Sequence, residues 1–247
     1  DLTDPAGAIA SLEKSTTVRR AAKAAPIAVE INEGDITPDF ATGLFAPYAV
    51  RRITIPEARP HPTDLVESAA LASVPLPKTD YRPVFHPDIV RRGMLSDVQL
   101  EAVIYAGTAH SRYLPSHPDD SSKIAPRRGI VIGHGTGVGK GRISAGIIAD
   151  NWAQNRRRHL WLSETATLIE DARADWVALG GRAEDVIDIR EVSITGRIPP
   201  VSGIVFATYA SLRAENGDAS RLTQIVDWFG TSEDGVIVLD EAQNLRN

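Results

Sequence analysis

The chain contains no cysteine in its 247 residues. That excludes disulfides, thiolate metal sites and a cysteine nucleophile, and it agrees with a reducing interior. Long apolar runs are also missing: none approaches the roughly 18 residues that a membrane helix needs. The N-terminus lacks the basic-apolar-small order of a signal peptide. The expectation is a soluble, intracellular protein with no membrane partner. An excess of positive charge is absent too. The formal net charge is −5, so the chain as a whole does not attract nucleic acid and any such contact must be local. Proline and glycine are each scarce in one half: 14 of 16 prolines precede Arg127 and 14 of 19 glycines follow it. Length alone allows one domain or two. The asymmetry suggests an irregular, proline-rich arm over 1–90 before a regular α/β domain over 91–247. The chain begins with Asp1 rather than methionine and stops at Asn247, which reads as a fragment of a longer protein.

What is present is concentrated between Arg128 and Arg142, where the apolar run Ile130-Val-Ile132 enters a glycine-dense turn ending in Lys140. Gly135, Gly137 and Gly139 lack the Cβ that would hold the backbone away from a phosphate, so their N–H groups can wrap an anion. Lys140 adds a positive charge at the bridging phosphates. Ile143, Ile147 and Ile148 follow at helical spacing, so a helix N-terminus should face the same phosphates. The pattern G-x-x-x-x-G-K-[ST] is met with two departures. His134 replaces the first glycine and Gly141 replaces the hydroxyl that normally ligates Mg²⁺. Ser144 lies a helical turn too far to substitute, so water or another group must serve. The alternative is a glycine-rich strand-to-helix turn without a ligand.

A second signal is Gly235-Val-Ile-Val-Leu-Asp-Glu-Ala-Gln243, a short apolar strand that ends in two carboxylates. In a parallel sheet, ligands bind at the carboxyl ends of strands, so Asp240 and Glu241 should lie on the phosphate-loop side. Asp240 would hold Mg²⁺, usually through water, and Glu241 would orient the attacking water. Taken alone, the pair could equally cap a following helix.

Alternation of strand and helix places strands at 130–132, 159–162, 186–189, 204–207 and 236–239, with helices at 140–154, 167–179 and 219–229. Upstream, 27–31 and 50–55 read as short β pieces, 59–87 as an extended proline-punctuated wrap, and 1–26 as a weak helix or tether. Leu95 to Tyr105 reads as a helix with Ser96 as N-cap. Arg156-Arg-Arg-His159 reads either as a solvated helix end or as a nucleic-acid contact. The sum is a RecA-like P-loop NTPase lobe.

At this level of detail the chain resembles the N-terminal ATPase half of the strawberry notch family, a branch of the superfamily-two helicases, over roughly 60–247. Three segments carry the likeness: His61-Pro-Thr-Asp-Leu through Pro77, Leu95-Ser-Asp-Val-Gln-Leu-Glu-Ala-Val-Ile-Tyr-Ala106, and Gly135-Thr-Gly-Val-Gly-Lys-Gly-Arg142. The family also carries glycine after the lysine. His134 stands where members have an acidic residue, and Gln243 where relatives often have histidine.

The resemblance implies that Gln99, Gly135, Thr136, Gly137, Val138, Gly139, Lys140, Gly141 and Arg142 bind ATP with Mg²⁺, with Gln99 reading the adenine edge. It implies that Ser163, Thr165, Thr208 and Ser211 contact a nucleic-acid backbone; by composition alone these four cap strand-to-helix turns. The implied activity is that of an ATP-dependent helicase or translocase on nucleic acid, DNA rather than RNA, working with a second RecA-like lobe of the same parent chain. A non-unwinding regulator of transcription or chromatin, or a motor joined to a DNA methyltransferase, are the alternatives. A bacterial or phage member would be cytoplasmic and a eukaryotic one nuclear.

Overall fold

A computed structural model describes residues 23–32, 44–115, 125–230 and 234–243, and every structural statement below concerns these residues. The weak helix or tether expected over 1–26 lies almost wholly outside them. In chain order the strands before the phosphate loop are β1 (Ala25–Pro26), β2 (Glu30–Ile31), β3 (Phe45–Pro47), β4 (Ile53–Thr54), β5 (Val66–Ser68) and β6 (Val84–Phe85). The helices of this part are α1 (Ala69–Ala72), α2 (Asp88–Arg91) and α3 (Asp97–His110). From the loop onward come α4 (Lys140–Ala153), β7 (Arg158–Ser163), α5 (Ile169–Ala178), β8 (Val186–Asp188), β9 (Gly203–Thr208), β10 (Glu215–Asn216), β11 (Ala219–Ser220), α6 (Arg221–Phe229) and β12 (Ile237–Leu239).

The sheet that positions the site has the order β12-β7-β9-β8, and all its pairings are parallel. Strands β7 and β9 alternate between two buried faces, whereas β12 at the edge leaves Ile237 and Leu239 exposed. Trp161, Ile204 and Phe206 point to one face, where Ile143 and Ile148 of α4 and Trp176 of α5 share their core. Leu160, Leu162, Val205 and Ala207 point to the other, against Ile225 and Trp228 of α6. The helical spacing in the sequence is what lets α4, α5 and α6 each offer one apolar stripe to the sheet.

The short strands before the loop pair among themselves as antiparallel two-stranded ladders, β1 with β6, β2 with β4 and β3 with β5. Their side chains join the first core: Val29, Ile53, Ile55 and Phe85 pack in one cluster with Leu100, Val103 and Ile104 of α3. A buried polar network adds to that seam. Arg51 pairs with Glu67 at 2.8 Å, and the Tyr48 hydroxyl donates to Glu101 of α3. Burial raises the Glu101 carboxyl to about 7 against the opposing pull of Tyr48 and Arg51, and burial pushes Tyr105 up to about 12.

Several elements differ from the sequence reading. Within 59–87, expected to be extended throughout, Ala69–Ala72 form the short helix α1 with Ser68 as its N-cap. Residues 130–132 form no strand: Ile130 and Val131 are 39% and 92% exposed. An apolar run becomes a strand only when a neighbour takes its N–H and C=O groups, and none of the described residues does so here. Ile189 leaves β8 and begins a single 3₁₀ turn, Ile189–Glu191, capped by the Asp188 side chain. Ala219 and Ser220 pair with Glu215 and Asn216 as a hairpin, so α6 starts two residues later, with Ser220 as its N-cap. No helix among the described residues is long and apolar enough to cross a membrane.

Candidate nucleotide site

The loop before α4 is open on the side that a ligand would take. A Cβ added at Gly133, Gly135 or Gly137 would meet nothing within 4 Å, and Gly137 and Gly139 have φ of 93° and 80°. Only glycine takes that left-handed backbone without strain. Gly139 is the N-cap of α4 and supplies no side-chain cap; the first turn carries no acidic residue. The positive end of α4 is therefore left for an anion. Thr136 is exposed and Val138 is buried, so the loop is anchored from beneath and free above. Lys140 Nζ folds back onto the His134 carbonyl at 3.3 Å. His134 Nδ1 is buried without a partner, and burial followed by the Lys140 charge lowers the His134 pKa. These features fit a phosphate-bearing ligand.

Gln99 reaches this loop from α3. Ser96 and Gln99 form a reciprocal capping box: the Ser96 hydroxyl accepts from the Gln99 N–H at 3.3 Å and Gln99 Oε1 accepts from the Ser96 N–H at 3.0 Å. Gln99 Nε2 donates to the Val138 carbonyl at 2.9 Å. A Cβ on Gly139 would come within 2.7 Å of that same Nε2. Both ends of the amide thus hold protein groups, which makes Gln99 the link between α3 and the loop. One N–H and one lone pair of the amide remain for a ligand.

At the C-terminal edge of the sheet, three strands bring polar groups together. The Ser163 hydroxyl at the end of β7 donates to Asp240 Oδ2 at 3.2 Å, and the Tyr209 hydroxyl after β9 donates to the Asp240 carbonyl at 2.7 Å. Burial, then the Asp240 and Glu241 charges, raise the Tyr209 pKa. Glu241 sits at φ 51°, an uncommon conformation for a residue with a side chain. Its N–H donates to Asp240 Oδ1 at 3.1 Å, and Gln243 Nε2 donates to Glu241 Oε2. No hydrogen bond or ion pair among the described residues joins Lys140 to Asp240 or Glu241. No group of three or more His, Asp or Glu among them could hold a metal by itself, so a divalent ion here needs oxygens from the ligand as well.

The other hydroxyls have internal uses. Thr208 and Ser211 cap one another, Ser211 N to Thr208 Oγ1 at 3.1 Å and Thr208 N to Ser211 Oγ at 2.9 Å. Thr165 is exposed and shares a hydroxyl contact with Thr167 at 3.1 Å. The basic run is spent on structure: Arg156 bonds the side chains of Asn151 and Gln154 at the end of α4, while Arg157 and Arg158 lie over the Trp152 and Trp228 rings.

One residue at this loop, Asp175, was not singled out by the sequence. Arg142 Nε donates to Asp175 Oδ1 of α5 at 2.9 Å, and Arg142 Nη1 donates to the Met94 carbonyl at 3.2 Å. A Cβ on Gly141 would run into Asp175 Oδ2. Burial raises the Asp175 pKa and Arg142 opposes the shift. An aspartate midway along a helix gives no sequence signal for this role, because only the packing of α5 on α4 brings it to the loop. His159, by contrast, is wholly structural. Its Nε2–H donates to the Arg156 carbonyl at 2.9 Å, and Nδ1 accepts the Val236 N–H at 3.1 Å.

With this geometry in place, comparison with known proteins decides the family. Residues 60–247 match the family model described as P-loop containing NTP hydrolase pore-1. The chain is 39% identical over 198 residues to the protein strawberry notch homolog of Caenorhabditis elegans, covering 76% of this chain and 10% of that protein. It is 36% identical over 197 residues to the protein strawberry notch homolog 1 of Homo sapiens, with 76% and 14% covered. It is 32% identical over 225 residues to the protein FORGETTER 1 of Arabidopsis thaliana, with 89% and 17% covered. The chain belongs to the strawberry notch family. It spans between about a tenth and a sixth of the length of these curated relatives. No solved structure matches. Within the strawberry notch family the chain is a P-loop NTP hydrolase domain with an α/β, RecA-like architecture, and such a domain implies nucleotide binding.

Proposed function

We propose that this domain is the ATP-binding and hydrolysing lobe of a nucleic-acid translocase or helicase, acting on DNA rather than RNA. The observation that supports it best is the sheet edge where Ser163, Tyr209 and Asp240 meet. A carboxylate expected to face Mg²⁺ is there tied directly to the loops after β7 and β9, the loops expected to touch a nucleic-acid backbone. A change at the nucleotide then has a short polar path to the strand.

In this reading the glycine loop and the α4 N-terminus hold the phosphates, with Lys140 neutralising their charge. Asp240 holds Mg²⁺, which supplies electrostatic stabilisation of the transferring phosphoryl group. Glu241 orients the attacking water and accepts its proton. A second RecA-like lobe of the longer protein completes the site with a cation. The test is nucleic-acid-stimulated ATPase of the full-length protein beside K140A and E241Q. Stimulated turnover falling at least ~100-fold in both variants is the expected result. Turnover in the wild type that ignores both DNA and RNA would refute the translocase reading.

A further inference from the structure

The residue after Lys140 is glycine, so the hydroxyl that turns toward Mg²⁺ in the general P-loop pattern has no source at position 141. The space is nevertheless filled. Asp175 Oδ2 lies inside van der Waals contact of the point a Cβ on Gly141 would occupy, while its Cγ stands back at 3.5 Å. The carboxylate thus approaches position 141 oxygen first and takes the space that the root of any side chain there would need. Asp175 Oδ1 is held by Arg142, and no hydrogen bond among the described residues reaches Oδ2. One oxygen is anchored and the other is presented.

We propose that Asp175 replaces the P-loop hydroxyl, presenting Oδ2 toward the Mg²⁺ of a bound Mg–nucleotide, and that Gly141 is glycine because any side chain there would displace it. The proposal rests on the nucleotide-binding reading of the loop. Arg142 acts through Asp175 and is a positioning residue: its second bond, to the Met94 carbonyl, fixes the guanidinium that fixes the carboxylate. A carboxylate oxygen is a hard donor that suits a divalent cation, while the charge of Asp175 is balanced by the Arg142 guanidinium. Affinity should therefore depend strongly on the metal.

The experiment is a fluorescence titration of the full-length protein with a labelled ATP, in Mg²⁺ and in EDTA. Wild type, D175N, D175A and the double variant G141S/D175A are compared, with circular dichroism confirming the fold. Wild type is expected to bind more tightly with Mg²⁺. D175N should lose about tenfold in Mg²⁺ and little or nothing in EDTA. D175A makes room at position 141, so adding G141S should recover much of the magnesium-dependent gain. Equal weakening of D175N in both conditions, or no rescue by G141S, would overturn the proposal and leave Asp175 a structural partner of Arg142. Absence of nucleotide binding by wild type in either condition would instead overturn the nucleotide reading on which it rests.

Discussion

Two buried titratable residues set opposite pH dependences. His159 is enclosed between Arg156 and Val236, and burial lowers its pKa from 6.5 to about 4. Its Nδ1 already accepts the Val236 N–H, so a second proton would face another donor. The unfolded chain takes up that proton near pH 6.5. The stability tied to neutral His159 is therefore full above 6.5 and falls as pH drops toward 4, by up to ~3 kcal/mol. Glu101 behaves in reverse. Its pKa is raised from 4.5 to about 7, so its contribution is full below 4.5 and is lost as pH rises through 7, by a similar ~3 kcal/mol. Between 4.5 and 6.5 the two slopes oppose each other and mask one another in the wild type. Urea unfolding across this window should separate them: relative to wild type, E101Q gains stability as pH rises and H159Q loses it. A difference curve that stays flat for either variant would contradict the assignment.

At the scale of elements, α3 illustrates how a cap serves a site. The capping box was half visible in the sequence, since Ser96 before an apolar helix reads as an N-cap. Its partner Gln99 was given the adenine edge by the family resemblance alone, and sequence says nothing of the protein groups that an amide's two ends also hold. The fold sends Oε1 back to Ser96 and Nε2 to Val138. S96A should cost about 1 kcal/mol in urea unfolding at neutral pH; a loss below a few tenths would show that the cap contributes nothing. The phosphate loop offers the opposite lesson. Its glycines and Lys140 were legible as a cradle, whereas 130–132 was misread as a strand. Strand formation is a property of two segments, and an apolar run in one of them cannot supply the other. The pairing of β3 with β5 escaped the sequence for the same reason, as about twenty residues and several prolines separate its two halves.

For the molecule as a whole, the segments before the loop and the sheet share one apolar core. Phe85 is 1% exposed and packs in the same cluster as Leu100, Trp161 and Phe206. The proline-rich composition suggested an irregular arm; the described backbone there forms ladders of two or three residues and two single-turn helices. Its side chains are nonetheless core. F85A is expected to cost ~3–5 kcal/mol and to lower the midpoint of a single unfolding transition. Tryptophan fluorescence, which reports on Trp152, Trp161, Trp176 and Trp228, would follow that transition. A variant in which far-ultraviolet dichroism changes while tryptophan fluorescence keeps its midpoint would show that the two parts unfold independently.

The sequence by itself determined what depends on neighbours along the chain. This includes the glycine-lysine loop, the Asp-Glu pair after a short apolar strand, the Ser96 cap, the strands at 159–162 and 204–207, and the family likeness carried by these segments. Tertiary structure alone decided what depends on partners distant in sequence. It assigned the Ser163 hydroxyl to Asp240, joined Tyr48 to Glu101, and enclosed His159 in a neutral state. It also turned the missing hydroxyl at position 141 from an omission into a space occupied by Asp175, thirty-four residues away. The reason is physical: a turn or a cap is stabilised by groups a few residues apart, whereas a buried polar atom must find its partner in three dimensions.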